Sequence, residues 1–258
     1  MLIHEICCKV NRNNRKWQKY SHLLDILCNF AAGKKIYIRM NNKIKAALFD
    51  LDGVVFNTEP QYTLFWREEC ERYYPGQGEL EKTIKGTTLQ QTFAMLFSGA
   101  LETERPIITE RLNRFEQTMH FDYVAGFREF LDILKSKGVL TAIVTSSNHL
   151  KMANVYRSHP DFQRLFDAIL TAEDFSESKP HPDCYLRAAA RLGIEPAQCV
   201  VLEDSFNGLK SGRAAGATVV ALATTNAVSD LEPLADMVIS DYHDPETKKI
   251  FQLFGAIQ

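Results

Sequence analysis

Short apolar runs recur along the chain at 44–49, 140–144, 168–170, 199–202, 218–221 and 237–239, separated by polar or glycine-containing turns. Each is brief and rich in small or branched aliphatic residues, the pattern of strands buried on both faces. Between several of them the spacing becomes helical, at 127–137 before Gly138, 183–192 before Gly193 and 205–215 before Gly216. Strand, helix, strand in this rhythm predicts an α/β fold, a doubly wound parallel sheet covered by helices.

The rhythm fails between about 58 and 124, where only helical patterns occur (61–72, 88–97 and 107–120), with a turn at Tyr74-Pro75-Gly76-Gln77-Gly78 and Gly86 before a helix start. A helical cap, 58–124, is therefore expected as an insert in a core formed by 40–57 and 125–258. Residues 1–39 stand apart: they hold eight Lys/Arg against Glu5 and Asp25, leaving 22 basic against 30 acidic residues elsewhere. This basic extension reads either as an upstream over-call, with Met40 as the biological start, or as a basic amphipathic helix around 17–30 that docks on the domain or a partner.

Charge and cysteine narrow the classes further. A net charge of -2 gives no drive toward nucleic acid or anionic lipid, and six cysteines without a C-x-x-C pair suggest neither a zinc site nor a disulfide framework. No run approaches the roughly 18 apolar residues of a membrane span. The expectation is a cytoplasmic protein, a monomer or weak dimer, with no nucleic-acid or membrane partner.

In an open parallel sheet, ligands bind beyond the carboxyl ends of the strands. Those positions carry Asp50 and Asp52 after the first run, Thr145-Ser146-Ser147 after the second, Lys179-Pro180 after the third and Glu203-Asp204-Ser205 after the fourth. Carboxylates gathered this closely raise one another's pKa unless a cation joins them, and oxygen donors without His or thiolate favour Mg2+. Lysine, hydroxyls and backbone N–H groups are what a transferring phosphoryl group needs. Past a strand end, residues i and i+2 point alike, so Asp50 and Asp52 can face one substrate, one attacking phosphorus while the other handles a proton.

Asp50-Leu51-Asp52-Gly53, Thr145-Ser146-Ser147, Lys179-Pro180 and Glu203-Asp204-Ser205-Phe206-Asn207-Gly208, in that order, resemble the four motifs of the haloacid dehalogenase superfamily of phosphotransferases. The likeness runs from about Lys43 to Asp241 and is nearest to the branch holding beta-phosphoglucomutase and small sugar-phosphate phosphatases. The resemblance implies that Asp50 is the nucleophile, Asp52 the general acid/base, and Lys179 the neutraliser of charge between nucleophile and phosphate. It implies phosphate binding by Thr145 and Ser146. Mg2+ would be held by Asp50, the Asp52 carbonyl and Asp204, with Glu203 a further or water-mediated ligand.

The mutase of this branch has a histidine ten residues after the acid/base and an arginine four residues after the cap's Lys-Gly; here Tyr62 and, beyond Lys85-Gly86, Leu89 take those places. The expected activity is therefore Mg2+-dependent hydrolysis of a small phosphorylated metabolite, a sugar phosphate, with a phosphosugar isomerase as the rival. Inorganic pyrophosphatase and a non-enzymatic phosphoacceptor module are more distant alternatives. Lys85, Gly86, Thr87 and Thr88 are the cap's candidates for substrate contact. Tyr62, Phe65, Trp66 and Phe93 read as cap core or interface, and His149 and His181 as solvated loop residues.

Overall fold

The computed structural model describes residues 44–85 and 87–254. The basic extension 1–39, the Met40 start, the helix expected around 17–30 and Gly86 lie outside the described residues.

Six parallel strands form the sheet: β1 (Ala46–Phe49), β2 (Leu140–Val144), β3 (Ala168–Leu170), β4 (Cys199–Glu203), β5 (Thr218–Leu222) and β6 (Met237–Ile239), in the order β3-β2-β1-β4-β5-β6. All of β1 is buried, and its side chains alternate between two cores. Ala47 and Phe49 join a core with Phe127, Phe130 and Leu202, whereas Ala46 and Leu48 join Val144, Tyr185 and Val201. Helix α5 (Phe127–Ser136) covers the first face, and α7 (Asp183–Leu192) the second. Burial on both faces explains why the strands read as unbroken apolar runs.

The order also fixes the site. β1 pairs with β2 on one side and β4 on the other, so the loops leaving these three strands meet at the sheet's centre, where the direction of winding reverses.

Between β1 and β2 run helices α1 (Glu59–Tyr73), α2 (Leu80–Thr83), α3 (Leu89–Leu96) and α4 (Arg105–Thr118). The short α2 and a 3-10 turn at Gly99–Glu104 were not legible in the apolar spacing. The outgoing and returning chains run together: Asn57 N–H donates to Asp122 O at 2.8 Å and Val124 N–H to Val55 O at 2.9 Å. Fully buried Phe56 stacks on Tyr123 and Phe162, at centroid separations of 4.9 and 5.3 Å, and pins that crossing to the core.

After β2, Asn148 caps α6 (His149–Ser158), accepting from the Lys151 N–H at 2.9 Å. His149 is thus the first residue of a helix, not a loop residue. Ser205 caps α8 (Phe206–Ala214) in the same way, through the Gly208 N–H at 3.0 Å. The shorter α9 (Val228–Leu231) and α10 (Thr247–Leu253) complete the described chain.

Candidate active site

Asp50 leaves the end of β1 with its N–H bonded to Leu202 O at 3.0 Å, which continues the β1–β4 ladder one residue past the strand. Its Oδ1 lies 2.6 Å from Nζ of Lys179, and the same ammonium lies 2.6 Å from Oε1 of Glu203 and 3.1 Å from Val144 O. Lys179 is therefore a buried hub between the ends of β1, β2 and β4. Burial pulls its pKa down, but the charges of Asp50 and Glu203 outweigh this and hold it above the ordinary lysine range.

Glu203 closes β4 instead of following it, and its carboxylate turns inward. Oε1 also accepts from Tyr185 OH at 2.7 Å, while Oε2 accepts from the N–H groups of Asp204 and Ser205 and from Ser205 Oγ. A Cβ on Gly208 would stand 1.9 Å from this carboxylate, so the glycine in the first turn of α8 makes room for it.

Asp204 faces the other way, toward Asp50. Its carboxylate accepts a short hydrogen bond from Thr225 Oγ1, and its carbonyl accepts from Asn226 Nδ2 at 2.8 Å. Thr224 Oγ1 donates to Gly53 O at 2.6 Å. These three residues after β5 were missed in the sequence, where the survey of strand ends stopped at the fourth strand; the polar run Thr224-Thr225-Asn226 was the available signal.

One oxygen each from Asp50, Glu203 and Asp204 lies within 4.8 Å of the others. Burial, with the neighbouring carboxylates, pushes Asp50 up to about 7 and Asp204 well above its ordinary value, Lys179 only partly offsetting the rise at Asp50. Buried carboxylates left so short of positive charge, with oxygen donors only, fit a hard divalent cation such as Mg2+.

Asp52 lines the same cleft. Oδ1 accepts from Thr58 Oγ1 at 2.5 Å; Oδ2 accepts from Ser147 Oγ at 3.2 Å and from Lys151 Nζ at 2.5 Å. Thr145 is buried at the end of β2 and accepts the Ser147 N–H on its Oγ1 at 3.0 Å, which shapes the loop around the cleft.

Asp50, Asp52, Thr145, Ser146, Lys179 and Asp204 line a single cavity of about 170 Å3, whereas Glu203 sits behind it. Lys85, Thr87 and Thr88, from the helical segment between β1 and β2, line the same cavity. Tyr62 and Trp66, read as cap core or interface, also line the cavity. Phe65 is buried against Phe115, as expected of cap core.

Three further cap residues were not anticipated. Glu116 is buried on α4 and accepts from Tyr62 OH at 2.8 Å. Glu59, at the start of α1, is pushed up to about 7 by burial and by the Asp52 charge. Gln91 completes a capping box with Thr88 and donates from Nε2 to Lys179 O at 3.2 Å, linking cap to core. The Thr-x-x-Gln spacing announces the box but not the second bond.

The family model for haloacid dehalogenase-like hydrolases matches residues 47–222, from β1 through the end of β5. Hexitol phosphatase B of Escherichia coli is 29% identical over 222 residues, covering 81% of this chain and 97% of that protein. Beta-phosphoglucomutase of Bacillus subtilis is 28% identical over 216 residues, covering 78% and 91%. Among solved structures, a family IA, variant 3 hydrolase from Entamoeba histolytica superposes with a TM-score of 0.70 at 23% identity, covering 82% of this chain and all of that one.

Proposed function

The chain belongs to the haloacid dehalogenase-like hydrolase family, and from that premise we propose that it is a Mg2+-dependent phosphatase of a small phosphorylated metabolite, a sugar phosphate. The observation that carries this reading is the Lys179 ammonium held 2.6 Å from both Asp50 and Glu203, with an oxygen of Asp204 within 4.8 Å of one from each of those carboxylates. It supports Asp50 as nucleophile, Lys179 as the cation that neutralises phosphate and Asp204 as a metal-ligating carboxylate.

In the proposed reaction, a carboxylate oxygen of Asp50 attacks phosphorus as the bond to the leaving oxygen breaks, and Asp52 gives that oxygen its proton. Asp52 then takes a proton from water, which attacks the aspartyl-phosphate and restores Asp50 with release of phosphate. Thr145, Ser146 and Lys179 hold the phosphoryl oxygens. Asp50, Asp204 and the Asp52 carbonyl would hold Mg2+, which when bound neutralises charge on the transferring group. Glu203 supports Lys179 from behind. The cap excludes bulk water while the phosphoryl group is in flight.

Hydroxyl and amide groups from Thr63, Thr87, Thr88 and Asn113 share the cavity with Tyr62 and Trp66, a lining suited to a polyhydroxylated leaving group. The similarity to hexitol phosphatase B points the same way. The similarity to beta-phosphoglucomutase keeps isomerisation as the second reading. Against it, Tyr62 and Leu89 line the cavity at the places where the resemblance implies a histidine and an arginine in a mutase, and no arginine lines it among the described residues. No described helix is long and apolar enough to cross a membrane, and the reading keeps the enzyme in the cytoplasm, acting on a diffusible metabolite.

The test is phosphate release from a panel of sugar phosphates, nucleotides and pyrophosphate, with Mg2+ and with EDTA, alongside detection of sugar-phosphate isomers. Metal-dependent release abolished by Asp50→Asn supports hydrolysis through Asp50. Conversion of beta-glucose 1-phosphate to glucose 6-phosphate with little free phosphate would replace the reading with the mutase.

A further inference from the structure

Lys151 occupies the first turn of α6, where a lysine ordinarily extends into water. Here its side chain is only 5% exposed, because the ammonium turns back into the cleft onto Oδ2 of Asp52. Nζ also lies 4.5 Å from the ring centroid of Tyr62, on cap helix α1, and Tyr62 OH is tied to Glu116 on cap helix α4. The Asp52 carboxylate thus meets three donors from three segments: Thr58 at the entrance to the cap, Ser147 after β2 and Lys151 on α6.

The three are not equivalent. The two hydroxyls are neutral, whereas the ammonium, packed against the Tyr62 ring, gives a charge-assisted bond. A lysine serving only to stabilise the fold has no need to face a cavity, yet both Lys151 and Asp52 line it. An acid/base group must be held close to its working geometry, since small misplacements lower the rate of proton transfer steeply.

We propose that Lys151 is the positioning residue for Asp52, fixing its carboxylate beside the leaving oxygen, with Tyr62 and Glu116 of the cap seating the lysine. The role rests on the phosphatase reading above. It gives the cap a second task besides excluding water: when α1 and α4 are docked, the Tyr62 ring completes the seat that holds Lys151 on Asp52.

Two aryl phosphates that differ in leaving group test this. p-Nitrophenyl phosphate releases a good leaving group that needs little protonation, whereas phenyl phosphate releases a poor one that depends on Asp52 as acid. In single-turnover measurements with Mg2+, Lys151→Met is expected to slow phenol release at least tenfold more than nitrophenol release. KM is expected to change less than threefold, and Lys151→Arg should recover part of the loss. Tyr62→Leu, which leaves Lys151 in place but removes the ring beneath it, should show the same bias at about threefold, and it carries the test if Lys151→Met does not fold.

Equal slowing of both substrates, or a raised KM with unchanged kcat, would overturn the positioning role. Failure of the native protein to release phosphate from any member of the panel above or from either aryl phosphate would instead defeat the phosphatase reading, so the two failures are distinguishable.

Discussion

Gly53 and Asp204 are in contact so close that a Cβ on the glycine would stand 2.1 Å from the carboxylate Oδ2. Gly53 also has a φ of 74°, which side-chain-bearing residues rarely adopt. Gly53→Ala is therefore expected to cost stability by about 1–3 kcal/mol and to push Asp204 off its position facing Asp50. Activity should fall at least about tenfold, with weakened Mg2+ dependence, because the displaced group is the proposed ligand. Gly216 is the control: its φ is +84°, but nothing lies within 4 Å of its absent Cβ. Gly216→Ala should cost about 1 kcal/mol and leave kcat/KM unchanged. Equal kinetic effects of the two substitutions would remove the case for the Gly53–Asp204 contact.

Lys179 is the next discriminating position. Replacing it with Met leaves Asp50 and Glu203 without their shared cation, and the carbonyl of Val144 without this donor. Removing one partner of a buried ion pair costs about 3–5 kcal/mol. A loss of about 10²–10³-fold in kcat is expected as well, the size of one electrostatic contact to a transferring group. Urea denaturation and steady-state kinetics read the two effects separately. A variant as stable as the native protein would argue that Lys179 is not the hub.

The parallel core was legible because strands buried on both faces have a signature that no surface element shares, and because a doubly wound sheet gathers its strand ends predictably. Asp50, Asp204 and Lys179 followed from that logic. Lys151 did not, since a lysine three residues into a helix reads as solvated until the fold sets that turn against Asp52. Nor was the division of labour at Glu203-Asp204 visible: adjacent side chains at a strand end point apart, and only the bonds from Lys179 and Tyr185 to Glu203 show which one turns inward. Gly208 stood only as the last residue of the fourth motif, and its missing Cβ accommodates Glu203. The cap was legible as helices, but the residues it presents to the cavity depend on helix rotation, which weak amphipathic spacing does not specify.

Stability should depend on pH in the metal-free protein. Asp50 and Glu59 are both raised to about 7, chiefly by burial, so between the ordinary carboxylate range and about pH 7 the folded state holds more protons than the unfolded chain. Stability is then lost as pH rises through that window. In EDTA, urea midpoints are expected to fall from pH 5 to pH 8, and Mg2+ should flatten the slope by balancing the carboxylates. Glu59→Gln isolates one share without touching a proposed ligand. Relative to the native protein it should gain on the order of 1 kcal/mol across the same window, after allowance for the partial exposure of Glu59. A midpoint that rises with pH in EDTA would contradict the sign.

The bond from Gln91 Nε2 to Lys179 O at 3.2 Å joins the cap to the loop that carries the site's central cation. The same side chain accepts the Thr88 N–H on Oε1 at 2.8 Å, so one residue both starts α3 and fastens it to the core. Substitutions can separate the two tasks. Gln91→Glu keeps an acceptor for Thr88 but loses the donor to Lys179 O; Gln91→Ala loses both. If the bond helps hold the cap closed, both variants should lower kcat/KM by about 3–30-fold, consistent with the loss of a single hydrogen bond of about 0.5–1.5 kcal/mol plus an unsatisfied carbonyl. Only Gln91→Ala should also increase amide exchange at Thr88, by loss of the return bond of the capping box. Native kinetics in Gln91→Glu would mean that the contact reports a closed cap without contributing to its closure.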